Sequence, residues 1–187
     1  MKKNGLYDPS YEHDNCGVGF VANIDGTPSH QIVKEGLTVL ENLVHRGAVG
    51  SDVNSGDGAG ILTQIPWEFF TSRAEASGFS IPEPSESGVG MLFFPTDEEK
   101  RTKAIELVEE IAEAKGARVL GWRELPVNPD CLGPTARSSM PFMGQLFLQI
   151  PGVTGDELER RLFIIRRVLE KSAAAEGFSR EEFYIPS

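Results

Sequence analysis

A layered domain of mixed helices and strands, α/β or α+β, is the fold class the sequence predicts, and three observations predict it. Apolar residues switch along the chain between helical spacing and short β-branched or aromatic runs, giving about six strands and about four helices in mixed order. The 187 residues are 40% hydrophobic and 25% charged, the balance of a globular chain long enough to bury one core. Glycine, proline and serine clusters separate the periodic segments, with no internal repeat and no clear domain boundary.

Residues 1–15, MKKNGLYDPSYEHDN, are polar and aperiodic and read as an extended leader. The run Gly17 to Ile24, GVGFVANI, reads as a strand that stops at the turn residues Asp25-Gly26-Thr27-Pro28. Ser29 is placed to cap a helix whose apolar face is Val33, Leu37, Leu40 and Val44, closed at Gly47. The glycine-rich stretch Asp52 to Gly60 is a loop of the kind that lies over a site, and GILTQI then reads as a second strand ending at Pro66. Pro66-Trp67 opens a short helix. After the loop SGFSIPEPSESG, Gly90 to Phe94 is an apolar strand. Thr96 and Glu99 have capping-box spacing for a helix running through Ala104, Leu107, Val108 and Ile111 to Gly116. Arg118 to Leu125 is a strand, Asn128 to Ser139 a loop and Phe142 to Ile150 a strand. Leu158, Leu162, Ile165 and Leu169 mark a helix over Asp156 to Ala175. Phe183-Tyr184-Ile185 begins one more strand at the end of the chain, so a domain cut before completion is expected.

Composition removes several function classes. A formal net charge of −10 opposes a surface that neutralises phosphate backbone, so no nucleic-acid partner is expected. No apolar run approaches the ~20 residues that span a bilayer, and the N-terminus lacks the apolar core of a signal peptide. A cytoplasmic protein with no membrane partner is the expectation. The two cysteines, Cys16 and Cys131, lie far apart and outside any C-x-x-C pattern, so no metal site is predicted and each thiol is judged alone.

Cys16 stands where the leader ends and order begins. A lone cysteine beside a strand is more often a small buried hydrophobe than a reactive group. To be a nucleophile it needs a base, because at its ordinary pKa of about 8.5 only a few per cent is thiolate. His13, His30 and His45 are available, but none sits in a pattern that identifies a Cys-His pair. The other solution removes residues 1–15, so that the α-amine of Cys16 itself, with a pKa of about 7.7–8.0, accepts the thiol proton. Attack of the thiol on the Asn15 carbonyl, followed by hydrolysis, is a self-contained route to that state.

The stretch from Cys16 to Phe70, with D-x-C-G-V-G-F, H-R-G-A and G-D-G-A-G-I-L, closely resembles the start of the class II glutamine amidotransferase domain of glutamate synthase large subunits. LYDPSYEHDN resembles that family's short propeptide, and LPVNPDCLGPTAR and FYIPS match its later segments, so the resemblance covers essentially the whole chain. It implies residues 1–15 as a propeptide-like leader and 16–187 as the N-terminal portion of the domain. The implied fold is the α+β N-terminal nucleophile type, a four-layer αββα sandwich, incomplete in this chain. The implied activity is glutaminase: Cys16 attacks glutamine, ammonia leaves, and a cysteinyl thioester is hydrolysed to glutamate. In the parent enzyme the ammonia passes to a synthase site that makes glutamate from 2-oxoglutarate. The partners implied are glutamine and the remaining glutamate synthase domains or subunits. No cofactor is implied in this chain; FMN and an iron–sulfur cluster belong to the remainder of the parent enzyme.

By the same resemblance Arg46 and Gly47 of His45-Arg46-Gly47 order the site or bind substrate, although a helix-end arginine satisfying carbonyls is the plainer reading. His45 is a structural hydrogen-bonder, since the α-amine already supplies the base. Asp52, Asn54 and Asp57 hint at calcium, but an EF-hand register wants glycine at 57 and glutamate at 63, where Asp and Thr stand. G-D-G-A-G lacks the Lys-Ser/Thr ending of a phosphate loop. Cys131 reads as incidental, and Arg160, Arg161, Arg166, Arg167 and Lys171 as a solvated helix face. Arg137, in Gly133-Pro134-Thr135-Ala136-Arg137, lies in a family-like segment with no assigned role.

The family's oxyanion donors, an Asn-Gly pair, and the aspartate that grips the glutamine amino group lie beyond the residues matched here; the Asn4-Gly5 pair is in the leader. The chain alone is therefore expected to be an incomplete catalyst. The rival reading is a non-catalytic binding or regulatory module that keeps some of the fold, and a retained leader would favour it.

Overall fold

The computed structural model describes residues 17–44, 52, 54–56 and 58–187. Two compact units divide the chain, one from Met1–Gln64 with Asp130–Ser138, the other from Ile65–Pro129 with Ser139–Ser187.

The first unit holds α1 (His30–Asn42) and the short α4 (Pro134–Ser138). Ser29 caps α1 as its position predicts, its hydroxyl accepting the Gln31 N–H at 3.1 Å. Gly26, at φ +73°, makes the turn that leads into it. The expected strands over Gly17 to Ile24 and Gly60 to Ile65 do not form: residues 17–23 and 58–66 run without strand pairing. A strand is completed by a neighbour that takes up its backbone groups, and among the described residues none lies beside these runs. Their apolar side chains stay in solvent, with Val18 87% and Phe20 93% exposed. The loop expected at Asn128 to Ser139 contains structure instead, a 3₁₀ turn at Pro129–Cys131 followed by α4. Pro134 sits at the first helical position, where its missing N–H costs nothing.

The second unit is built on an antiparallel sheet of β1 (Ser87–Phe94), β2 (Arg118–Glu124) and β3 (Phe142–Gln149), in the order β1-β3-β2. β1 pairs with β3 from Ser87↔Gln149 to Phe94↔Phe142. The tail lies on the outer edge of β1, through an antiparallel bridge Phe93↔Tyr184 and the Met91 N–H donating to the Ser187 carbonyl at 2.7 Å. Counting that tail as a fourth strand, the unit has the βαββαβ connectivity of a split βαβ arrangement.

The period-2 alternation of the strands sorts their side chains onto two helical layers. Leu146 and Leu148 of β3, with Leu92 and Phe94 of β1, face α3 (Glu98–Ala114) and α5 (Gly155–Ala175). Those helices contribute Ala104, Val108, Ile111, Leu158, Ile165 and Leu169 at helical spacing. Phe147, Val89 and Leu120 face the other way, onto Trp67, Phe70 and Ala74 of α2 (Trp67–Ala76) and onto Phe79 and Ile81. A bulge between Val119 and Gly121 shifts the β2–β3 register.

Caps set the helix boundaries. α3 begins one residue later than the Thr96/Glu99 box predicts, because the Asp97 carboxylate accepts the Lys100 N–H at 2.8 Å. A carboxylate both outranks threonine as a cap and complements the helix dipole, and the Thr96 carbonyl instead receives Arg101 Nη1 at 3.2 Å. α3 ends in a Schellman motif: Gly116 at φ +80° donates to Glu113 O, and Ala117 to Ala112 O. Gly78 and Gly177 close α2 and α5 in the same way. Four of the five basic residues of α5 are paired within their own helix, Arg160 and Arg161 on Glu157, and Arg166 and Arg167 on Glu170, in keeping with a solvated face. The whole is a mixed α+β arrangement, the class the sequence indicates.

Candidate functional site

The three residues the sequence assigns to the site, Cys16, Arg46 and Gly47, lie outside the described residues, as do His13, His45 and Asp57. Their described chain neighbours are in contact. A Cβ built on Gly17 would stand 2.9 Å from Leu43 Cδ2, and one on Gly19 would stand 2.5 Å from Val39 Cγ1. The glycines of C-G-V-G therefore let the backbone lie directly on the C-terminal half of α1, while Val18 and Phe20 stay exposed. Gly36, nearer the start of α1, permits a similar approach, since a Cβ there would stand 2.9 Å from Ile61 Cδ1. Gly17 is bonded to Cys16, and Leu43 precedes Val44, which is bonded to His45. The structure thus brings together the described residues flanking the C-G-V-G-F and H-R-G-A motifs.

A second contact joins two other motifs of the same unit. Gly133 N–H donates to the Asn54 carbonyl at 3.1 Å. Thr135 N–H donates to Asp52 Oδ2 at 3.2 Å, and Ala136 N–H to Ser55 Oγ at 3.0 Å. Asp52 and Ser55 so take the second and third backbone donors of α4, which the helix itself leaves without acceptors. Gly133 has no alternative to glycine in this packing, since a Cβ would stand 1.8 Å from Asp52 Oδ1 and 2.6 Å from Ser55 Oγ. Hydrogen bonding from Thr135 holds the Asp52 carboxyl below its ordinary range, with help from Ser55 and the Asn54 backbone and against partial desolvation. Ser55 is among the few buried polar residues. Arg137, on the following turn, reaches Asp130 with Nη2 at 3.2 Å. Cys131 is exposed.

Sequence reading missed this interlock. It weighed Asp52 only as a calcium ligand, and among the described residues no group of three or more His, Cys, Asp or Glu could hold a metal ion. The one available signal was Gly133-Pro134, which marks a helix start whose cap must come from elsewhere. Among the described residues no helix is long and apolar enough to cross a membrane.

A mixed α+β fold whose glycine-spaced segment follows a cysteine and packs on the helix leading to H-R-G-A agrees with what comparison finds. Residues 16–187 match the family model of class-II glutamine amidotransferases, and the chain belongs to that family, a family of enzymes. It is 43% identical over 188 aligned positions to the glutamate synthase [NADPH] large chain of Bacillus subtilis (strain 168), covering 100% of this chain and 12% of that one. It is 41% identical over 180 positions to ferredoxin-dependent glutamate synthase 1, chloroplastic/mitochondrial, of Arabidopsis thaliana, covering 96% of this chain and 11% of the relative. Ferredoxin-dependent glutamate synthase 2 of Synechocystis is likewise 41% identical, over 94% of this chain and 11% of its own length. The chain thus spans about a ninth to an eighth of the length of the relatives it matches.

Proposed function

We propose that this chain carries the nucleophile of a glutamate synthase glutaminase site. The observation that carries the reading is the packing of Gly17, the residue after Cys16, against Leu43 at the end of the helix that leads to Arg46 and Gly47. In this reading removal of residues 1–15 exposes the α-amine of Cys16. That amine takes the thiol proton, and the thiolate attacks the side-chain carbonyl carbon of glutamine. The tetrahedral oxyanion collapses, the C–N bond breaks, and the nitrogen leaves as ammonia with the proton returned by the ammonium group. Water, deprotonated by the same amine, cleaves the thioester to glutamate and restores the thiol. Arg46 orders the site, and Gly47 permits close backbone approach.

The ammonia then serves a synthase site elsewhere in the parent enzyme, which aminates 2-oxoglutarate. The four-layer αββα architecture belongs to the same proposal, and it is supported by the apolar residues left exposed around α1, Leu37, Val44, Ile61 and Leu62 among them. A cytoplasmic location also belongs to it for this chain, although the name of the Arabidopsis relative places that protein in chloroplasts and mitochondria.

Intact mass of the purified protein, before and after treatment with the glutamine analogue 6-diazo-5-oxo-norleucine, tests the reading. The expected result is a mass beginning at Cys16 with a single adduct that Cys16→Ala abolishes. A mass that keeps the leader and takes no adduct overturns it in favour of a binding module.

A further inference from the structure

We infer that Arg73, Phe69 and Arg123 form a binding site for an aliphatic dicarboxylate on the face of the sheet that α2 covers. The site lies wholly in the second unit and does not rest on the glutaminase reading. Phe69 and Arg73 stand one turn apart on α2, and the Arg73 guanidinium lies over the Phe69 ring, 5.1 Å from its centroid. Arg123 comes from β2, opposite Gln145 of β3, and its guanidinium lies 5.8 Å from the same centroid. Its Nη1 donates to Oε1 of the buried Gln145 at 2.6 Å, which fixes one edge of the group. Two guanidinium groups thus converge on one ring. Like charges repel, the ring offsets only part of that, and guanidinium groups do not shed their charge to relieve it. A counter-anion does. The chain has 28 acidic residues against 18 basic ones, yet among the described residues neither Arg73 nor Arg123 has a carboxylate partner, whereas Arg160, Arg161, Arg166 and Arg167 of α5 are all paired. The planar fork of a guanidinium takes a carboxylate by two parallel hydrogen bonds, so two forks call for two carboxylates. Phe69 itself is 44% exposed, and Ile65, four residues before it, is 39% exposed. These apolar surfaces suit the methylenes that join two carboxylates, and a phosphate would leave them uncovered.

Nitrogen-15 spectra of the 187-residue chain test this through the Nε–H signals of Arg73 and Arg123, assigned by their loss in Arg73→Gln and Arg123→Gln. Glutarate is titrated against sodium chloride of matched ionic strength, with acetate and inorganic phosphate as comparison anions. Both signals are expected to move along one saturating curve with glutarate. Acetate, which reaches one guanidinium at a time, and phosphate, which has no apolar part, are expected to bind at least about 10-fold more weakly. Each arginine-to-glutamine variant is expected to weaken glutarate about 10-fold, read at the signal that remains. Arg123→Lys, which keeps the charge and loses the fork, is expected to weaken it by less. Should Arg123→Gln not fold, Arg123→Lys and Arg73→Gln carry the same comparison. Shifts that match those in chloride and do not saturate overturn the site. Movement of one signal alone, or acetate binding as tightly as glutarate, overturns the joint role of the two arginines. Phosphate binding as tightly as glutarate overturns the dicarboxylate class. Glutarate affinity unchanged in both Arg73→Gln and Arg123→Lys places the binding elsewhere and overturns the site.

Discussion

At the scale of single residues, charge partners decide more than residue type alone. Lys100 at the start of α3 meets Glu182 in the tail, Nζ to Oε1 at 2.5 Å. The pair lowers the Glu182 carboxyl, chiefly through the Lys100 hydrogen bond and then the Ser179 N–H, and it raises Lys100. A depressed carboxyl stabilises the fold above its unfolded pKa and loses that contribution as pH falls through the folded one. A raised amine contributes fully below its unfolded pKa and loses that as pH rises through the folded one. The contact is thus fully formed between about pH 4.3 and 10.4. Glu182→Gln is expected to lower the urea midpoint slightly at pH 7 and by progressively less as pH falls below about 4, in paired denaturation curves. Residue chemistry is also what makes Cys16 a candidate in the sequence: a cysteine at the end of an aperiodic stretch poses the question of a base by itself. Asp52 and Ser55 were not legible, because their partners are backbone N–H groups about eighty residues away in sequence, which carry no identity for a sequence to display.

Among elements, what was local was readable. α1, α3 and α5 follow from apolar spacing within one segment, with a polar cap at the start of α1 and α3 and a glycine closing α3 and α5, whereas α1 ends at Asn42, short of the Gly47 that the sequence offered as its close. Even the slip at α3 was a single residue, caused by Asp97 outcompeting Thr96. The unformed strands at 17–24 and 60–65 had the right composition, yet a strand depends on a neighbour supplied from elsewhere in the chain. β2 shows how specific that supply is. Its bulge places Gly121 under Phe79, where a Cβ would lie 2.5 Å from the ring, and Phe79 in turn packs on Phe147 with centroids 5.3 Å apart. Gly121→Ala is expected to cost about 1–3 kcal/mol, the usual range for overfilling a packed core, measured as a lower urea midpoint with an unchanged slope.

For the molecule as a whole, burial is uneven. α1 has no buried residue, whereas α3 and α5 bury four each. Amides of α1 are accordingly expected to exchange orders of magnitude faster than those of α3 and α5 in native hydrogen-exchange profiles, and equal protection would contradict the difference in packing. In the second unit Phe94, 1% exposed, touches Trp122, Phe142 and Phe183 with ring centroids 5.4–6.3 Å away, joining all three strands and the tail. Phe94→Ala is expected to cost about 3–5 kcal/mol in equilibrium denaturation.

The strand order has a further consequence at this scale. β1 and β2 are each hydrogen-bonded to β3 and not to one another, and β3 is the last of the three in sequence. On a translating ribosome, β1 and β2 must therefore wait, their edges open, until Gln149 has cleared the exit tunnel. At roughly 5–20 residues per second that interval lasts seconds. α3 joins the two waiting strands and forms from local contacts alone. With α2, already made, on the opposite face, it can cover their apolar faces in the meantime, which makes the nascent chain's solubility depend on helices before it depends on a sheet.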